Sequence, residues 1–168
     1  MASALGSVPA CLDSRVETYQ QQRWQRSEAF SAWLDQSALP GLTDEQAPVL
    51  YRASGGGKTG EFKTNLIEEV TDSLDFLLFD TIMLEGRFDE CASHEGAYNL
   101  AGTGKEFYSY LLCHSGPALF TVRNSHAERA WRQMETLQPV RQQLGLAHFR
   151  SVDDCAYALS RPAKGAGG

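Results

Sequence analysis

Gly55, Gly56 and Gly57 stand together in this chain and are followed by Lys58, Thr59 and Gly60. Consecutive glycines let backbone N–H groups converge on one point, and a helix start beyond them adds further free donors; this is how proteins grip an anion. Gly57-Lys58-Thr59 matches the second half of the phosphate-loop pattern G-x-x-x-x-G-K-[ST]. Arg52 occupies the place of the leading glycine, and an apolar run downstream ends in Asp80, where a magnesium-organising carboxylate would sit. The candidate anion site is therefore Arg52, Gly55, Gly56, Gly57, Lys58, Thr59 and Asp80. Its ligand would be phosphate or a nucleotide with Mg. The competing account is a flexible surface turn with a solvated lysine.

Other constellations are less complete. Gly102-Thr103-Gly104-Lys105 is a second partial phosphate loop, with Asn99 at the leading position. Both segments also read as glycine turns ahead of a capped helix. Asp89, Cys91, His94 and Glu95, with Cys113 and His114 further on, are ligand-type residues. Cys91 and His94 are three apart, which suits one turn of helix and would suit zinc. The paired, repeated spacing of a metal site is missing, so no metal is expected and these two are the only candidates. Cys91 or Cys113 could pair with any of four histidines as a nucleophile, which makes the pairing uninformative. Ser125 reads as a helix cap, and Trp24, Trp33 and Trp131 as core.

The elements that would position these residues follow from periodicity and breakers. Residues 1–13 read as a flexible N-terminus, and 14–40 as a helical extension with one helix from Ser14 to Gln36, ended by Pro40-Gly41. Val49–Arg52 reads as a strand leading into the glycine loop. A helix then carries Phe62, Leu66, Ile67 and Val70 on one face. Phe76 to Leu84 reads as a buried central strand after a turn at Thr71-Asp72-Ser73; one long helix from Glu61 to Leu84 is the alternative. Thr103–Glu106 has capping-box spacing and opens a helix stopped by Gly116-Pro117. Ala118–Val122 reads as a strand and Ser125–Glu128 as a second capping box. His148–Arg150 reads as a last strand, Ser151–Asp154 as the start of a last helix, and 162–168 as a disordered tail. Strands alternating with helices predict, over residues 41–161, a single α/β domain with a small, mostly parallel sheet of about four strands.

Composition bounds the function. Hydrophobic residues make up 42% and charged residues 21%, the balance of a globular protein. Twenty-one acidic against fifteen basic side chains leave a formal charge of -6, which disfavours nucleic-acid binding by phosphate neutralisation. Cys11, Cys91, Cys113 and Cys155 are far apart and read as thiols in a reducing compartment rather than a disulfide framework. No apolar run approaches membrane-spanning length, and the N-terminus lacks the basic start of a signal peptide, so the expected location is the cytoplasm with no membrane partner.

From Thr103 to Leu159 the order of turn, helix, strand Ala118–Val122 and long helix resembles the C-terminal half of STAS-like modules, including the SpoIIAA-like domains. His148-Phe149-Arg150-Ser151-Val152-Asp153-Asp154 resembles their closing strand and acidic helix start. The resemblance implies an α/β regulatory module. It also implies that Thr103, at the start of the middle helix, is the residue a partner kinase would phosphorylate. Asn99-Leu100-Ala101-Gly102 departs from the family's acidic-then-hydroxyl run there. With no complete catalytic motif, the sequence reads first as a regulatory module that binds a protein partner, without catalysis or cofactor. A phosphate- or nucleotide-recognising enzyme built on residues 55–60 is the alternative, and an effector or inhibitor that blocks another protein is a further one.

Overall fold

The computed structural model describes residues 14–127. Helices run in the order α1 (Ser14–Trp24), α2 (Ser27–Trp33), α3 (Gln46–Ala53), α4 (Thr59–Phe62), α5 (Ile67–Phe79), α6 (Leu84–Ala92) and α7 (Lys105–Ser115), with a single 3-10 turn at Leu39–Gly41. Among the described residues there is no strand, so the expected parallel sheet and α/β class are corrected to a helical architecture. Its axis is α7, whose residues from Phe107 to His114 are all buried. The other helices surround it, and Tyr51, Phe62, Leu74, Leu77, Tyr108 and Leu111 are among the side chains it helps to seal from water.

Each expected strand fails for a local reason. Val49–Arg52 lies inside α3. Thr43-Asp44-Glu45-Gln46 is a capping box: the Thr43 N–H donates to Gln46 Oε1 at 3.1 Å and the Gln46 N–H to Thr43 Oγ1 at 3.2 Å. Pro48 follows directly on the first i→i−4 bond, from the Ala47 N–H to the Thr43 carbonyl, and is accommodated near the start of α3. Phe76–Phe79 is the last turn of α5, which starts where the Leu66 N–H donates to Glu69 Oε2 at 2.9 Å. The apolar run reads as continuous because this helix end is covered on several sides. Phe76 stacks on Tyr98 with ring centroids 3.9 Å apart, and Arg87 Nη1 donates to the Leu77 carbonyl at 2.6 Å. Thr71 and Ser73 sit inside the helix without turning it, because their hydroxyls donate to the Glu68 and Tyr98 carbonyls. The single rod from Glu61 to Leu84 does not form either: α4 and α5 are separate, and Asp80–Met83 links α5 to α6.

Ala118–Val122 has no ladder partner. The Leu119 and Phe120 N–H groups turn back to the Gly116 carbonyl, the Arg123 N–H donates to Ser109 Oγ on α7, and Cys113 Sγ–H donates to the Phe120 carbonyl. Its backbone bonds are thus made to turns and side chains rather than to a neighbouring strand. This removes the strand on which the STAS-like resemblance depended within the described residues. The expected strand His148–Arg150, the last helix and the tail lie outside the described residues. The helix after Gly116 opens at residue 125, capped by Asn124 rather than Ser125: Asn124 Oδ1 accepts the Ala127 N–H at 2.8 Å.

The N-terminal segment forms two helices where one was expected. Trp24 stacks on Tyr110 at 5.2 Å between centroids, and Phe30 meets His114 edge-on at 5.6 Å. Six residues apart, the two side chains would point about 120° apart on a straight helix. The break at Gln25-Arg26, where Ser27 Oγ donates to the Trp24 carbonyl, lets both face α7. Residues 14–40 therefore pack into the same core as the helices that follow.

Candidate functional site

The two glycine segments meet. Gly55–Lys58 joins α3 to α4, Gly102–Gly104 leads into α7, and together they border a cleft of about 300 Å³. Lys58 and Lys105 lie exposed at its rim and Glu106 lies within it. The arrangement looks like a doubled phosphate loop until its hydrogen bonds are followed. The Gly55 N–H donates to the Arg52 carbonyl at 3.0 Å, the Gly56 N–H to the Tyr51 carbonyl at 3.1 Å, and the Lys58 N–H to Tyr51 Oη at 3.2 Å. Three of the donors a cradle would need are turned into the fold.

Tyr51 explains the glycine at position 56 of this loop. Its ring stacks on Phe62 at 4.3 Å and 6°, and its hydroxyl donates to the Gly102 carbonyl at 2.6 Å. The loop lies so close over the ring that a Cβ on Gly56 would come within 2.4 Å of it. Gly102 has φ +79°, a left-handed backbone that side chains disfavour, and a Cβ there would sit 3.1 Å from the Lys58 carbonyl oxygen. Gly56 and Gly102 are thus accounted for by close packing of two turns around one tyrosine, whereas a Cβ on Gly57 would meet nothing within 4 Å.

Under the cleft lies an ion pair that the sequence did not announce. Arg23 of α1, 3% exposed, donates through Nη2 to Glu106 Oε1 at 2.8 Å and through Nη1 to the Ser54 carbonyl at 2.9 Å. Asn124 Nδ2 reaches the same Glu106 oxygen at 3.4 Å, and Tyr110 Oη donates to the Arg23 carbonyl. Glu106 therefore serves as an internal acceptor, not as the third position of a capping box, and its carboxylate brings negative charge to a cleft expected to receive an anion. On the rim, Lys58 Nζ pairs with Glu61 at 3.4 Å.

The remaining candidates are dispersed. Arg52 borders a different cleft, with Arg26. Asp80 accepts the Ile82 N–H at 2.9 Å in the α5–α6 link. Thr103, 7% exposed, donates its hydroxyl to the Leu100 carbonyl at 2.7 Å and lies 3.1 Å from Tyr108 Oη, so that oxygen is not presented to a kinase. Cys91 is fully buried against Ser73, whereas His94 is exposed beyond the end of α6. Burial pushes the Cys91 thiol up to about 11, outweighing the Ser73 hydrogen bond that pulls it down. Burial also raises the Tyr108 phenol. No group of three or more His, Cys, Asp or Glu side chains is arranged to hold a metal among the described residues.

Charge segregation is the feature that site motifs did not reveal. Residues 67–92 carry Glu68, Glu69, Asp72, Asp75, Asp80, Glu85, Asp89 and Glu90 against Arg87 alone. The rest of the chain holds thirteen acidic and fourteen basic side chains, so this hairpin accounts for the acidity of the whole. All eight carboxylates are exposed, and Arg87 is turned toward the Leu77 carbonyl. At the tip between α5 and α6, Ile82 is 54% and Met83 76% exposed. The count of charges along 67–92 was available in the sequence; the exposure of Ile82 and Met83 was hidden by reading them as part of a buried strand.

No protein-family model, curated protein or solved structure matches the chain. No helix among the described residues is long and apolar enough to cross a membrane.

Proposed function

We propose that this chain is a cytoplasmic regulatory module that works by docking a protein partner on the α5–α6 hairpin, without catalysis of its own. The observation that carries the reading is the exposed Ile82–Met83 pair, flanked by Asp80 and Glu85 at the tip of a hairpin whose eight carboxylates are all exposed. Apolar side chains held out to water favour burial against a partner, and a ring of one charge sign steers a partner of the other. The same field disfavours nucleic acid. The buried free thiols Cys91 and Cys113 support a reducing compartment. The nucleotide-enzyme alternative is weakened by the inward-turned amides of the glycine loop and by Glu106 beneath it.

The test is affinity capture from the native cell with the wild-type chain and with a Asp80→Lys/Met83→Ser/Glu85→Lys variant. A partner retained by the first and lost by the second, and released by salt, supports the reading. Identical captured proteins for both would sink it.

A further inference from the structure

Beside the acidic hairpin the molecule carries its chemical opposite. Between α1, α2 and α3 lies a cleft of about 350 Å³, with Arg26 and Arg52 and several glutamine amides at its edge and Phe30, Val49 and Ala53 in its lining. No carboxylate lines it. Arg26 and Arg52 are both exposed, and neither has an ion-pair partner among the described residues. In a chain of formal charge -6, two unpaired guanidiniums over an apolar floor form a cationic pocket. The hairpin tip offers what such a pocket accepts: two exposed apolar side chains, Ile82 and Met83, flanked by the exposed carboxylates Asp80 and Glu85.

We propose that the occupant of the Arg26–Arg52 cleft is the α5–α6 tip of a second copy of this chain. This rests on the docking role of the hairpin and names its partner. Ile82 and Met83 would lose water against the half-buried Val49 and Ala53, while Asp80 and Glu85 meet guanidiniums that present several N–H donors each to a carboxylate. Two such contacts related by a two-fold axis would close a dimer; a single head-to-tail contact would give open chains. Because the charges sit at the rim of the contact, association weakens as salt rises.

The experiment is the mass in solution of the full chain, measured at rising concentration up to millimolar and in low and high salt. Wild type is expected to pass from the 18.5 kDa of one chain to twice that mass or more at low salt, and back at high salt. Arg26→Glu/Arg52→Glu and Asp80→Lys/Glu85→Lys should each stay at the single-chain mass. All four positions are exposed, and an unchanged helical circular dichroism spectrum confirms folding. Mixed together, the two variants should associate again, since each supplies the charge that the other now needs. Wild type that stays single-chain throughout overturns the proposal, as does association that either reversal leaves intact or that mixing fails to restore. A single-chain wild type whose hairpin still captures a foreign protein overturns self-association alone and leaves the docking role standing.

Discussion

In the glycine cleft the inward-facing polar groups are committed to one another, whereas along the α5–α6 hairpin eight carboxylates and two apolar side chains face water. Arg23 holds Glu106 and Ser54, Tyr51 holds Gly102 and Lys58, and Thr103 holds Leu100. A group that already satisfies a buried partner stabilises the fold and has little capacity left for a ligand. Along the hairpin Glu69, Asp80 and Glu90 each accept one backbone N–H, and the rest of the exposed acceptor capacity stays open to a partner. The proposed docking role puts recognition on the second region and leaves stability to the first, and substitutions in each should separate the two.

The largest effect is expected at Arg23. Arg23→Ala leaves Glu106 without its buried cation and the Ser54 carbonyl without its donor, a loss of about 3 kcal/mol for breaking a mostly buried pair. Urea unfolding followed by circular dichroism measures it. A loss below about 1 kcal/mol, as for a surface pair, would remove the cleft's structural role.

Next comes a pH effect. The Cys91 thiol titrates at about 11 in the fold against 9.0 as an ordinary thiol, because burial penalises its thiolate. The sign follows: the contribution is whole below pH 9, and falls away as pH rises through 11. The loss is on the order of 2 kcal/mol by linkage. The raised Tyr108 phenol adds to it in the same direction. Unfolding free energy should therefore decline more steeply with rising alkaline pH in wild type than in Cys91→Ala. Equal slopes would show that Cys91 is not sealed in.

Gly102→Ala should cost about 1–2 kcal/mol, the penalty for a side chain on a left-handed backbone. Phe62 N, only 3.0 Å from the added Cβ, leaves little room for relaxation. A melting temperature equal to that of wild type would show that the two turns do not need to approach so closely.

Much of this division was written in the sequence, though not where motif reading looks first. Gly116-Pro117 ended α7 as its chemistry requires, whereas Pro40-Gly41 falls inside the 3-10 turn Leu39–Gly41, beyond the end of α2 at Trp33. The Thr43–Gln46 capping box was equally legible and would have placed Val49–Arg52 in a helix. Phe76–Phe79 was ambiguous in principle: four successive apolar residues fit a central strand or a helix end covered on several sides, and only the Tyr98 and Arg87 contacts decide between them. The Arg23–Glu106 pair joins residues 83 positions apart and has no local signature at all. The Gly-Lys-Thr spacing was visible, but the close approach to the Tyr51 ring is made by Gly56 and not by Gly57, and no local signal tells a glycine packed on a tyrosine from one packed on a phosphate.

The smallest expected effects lie on the same loop and bear hardest on the contrast. Lys58→Ala removes an exposed pair with Glu61, worth at most about 0.5 kcal/mol. Gly57→Ala adds a Cβ that meets nothing within 4 Å, at a residue without positive φ, so it should change stability by less than about 0.5 kcal/mol. Were the loop an anion cradle, both substitutions would act on ligand binding instead: the first removes its cation, the second hinders close approach of the backbone. Melting of wild type with phosphate, nucleotide and Mg is decisive, since a ligand at 100 times its dissociation constant raises stability by about 2.7 kcal/mol. The expected result is no shift in wild type or in either variant. A shift in wild type that both variants lose would return recognition to the glycine cleft.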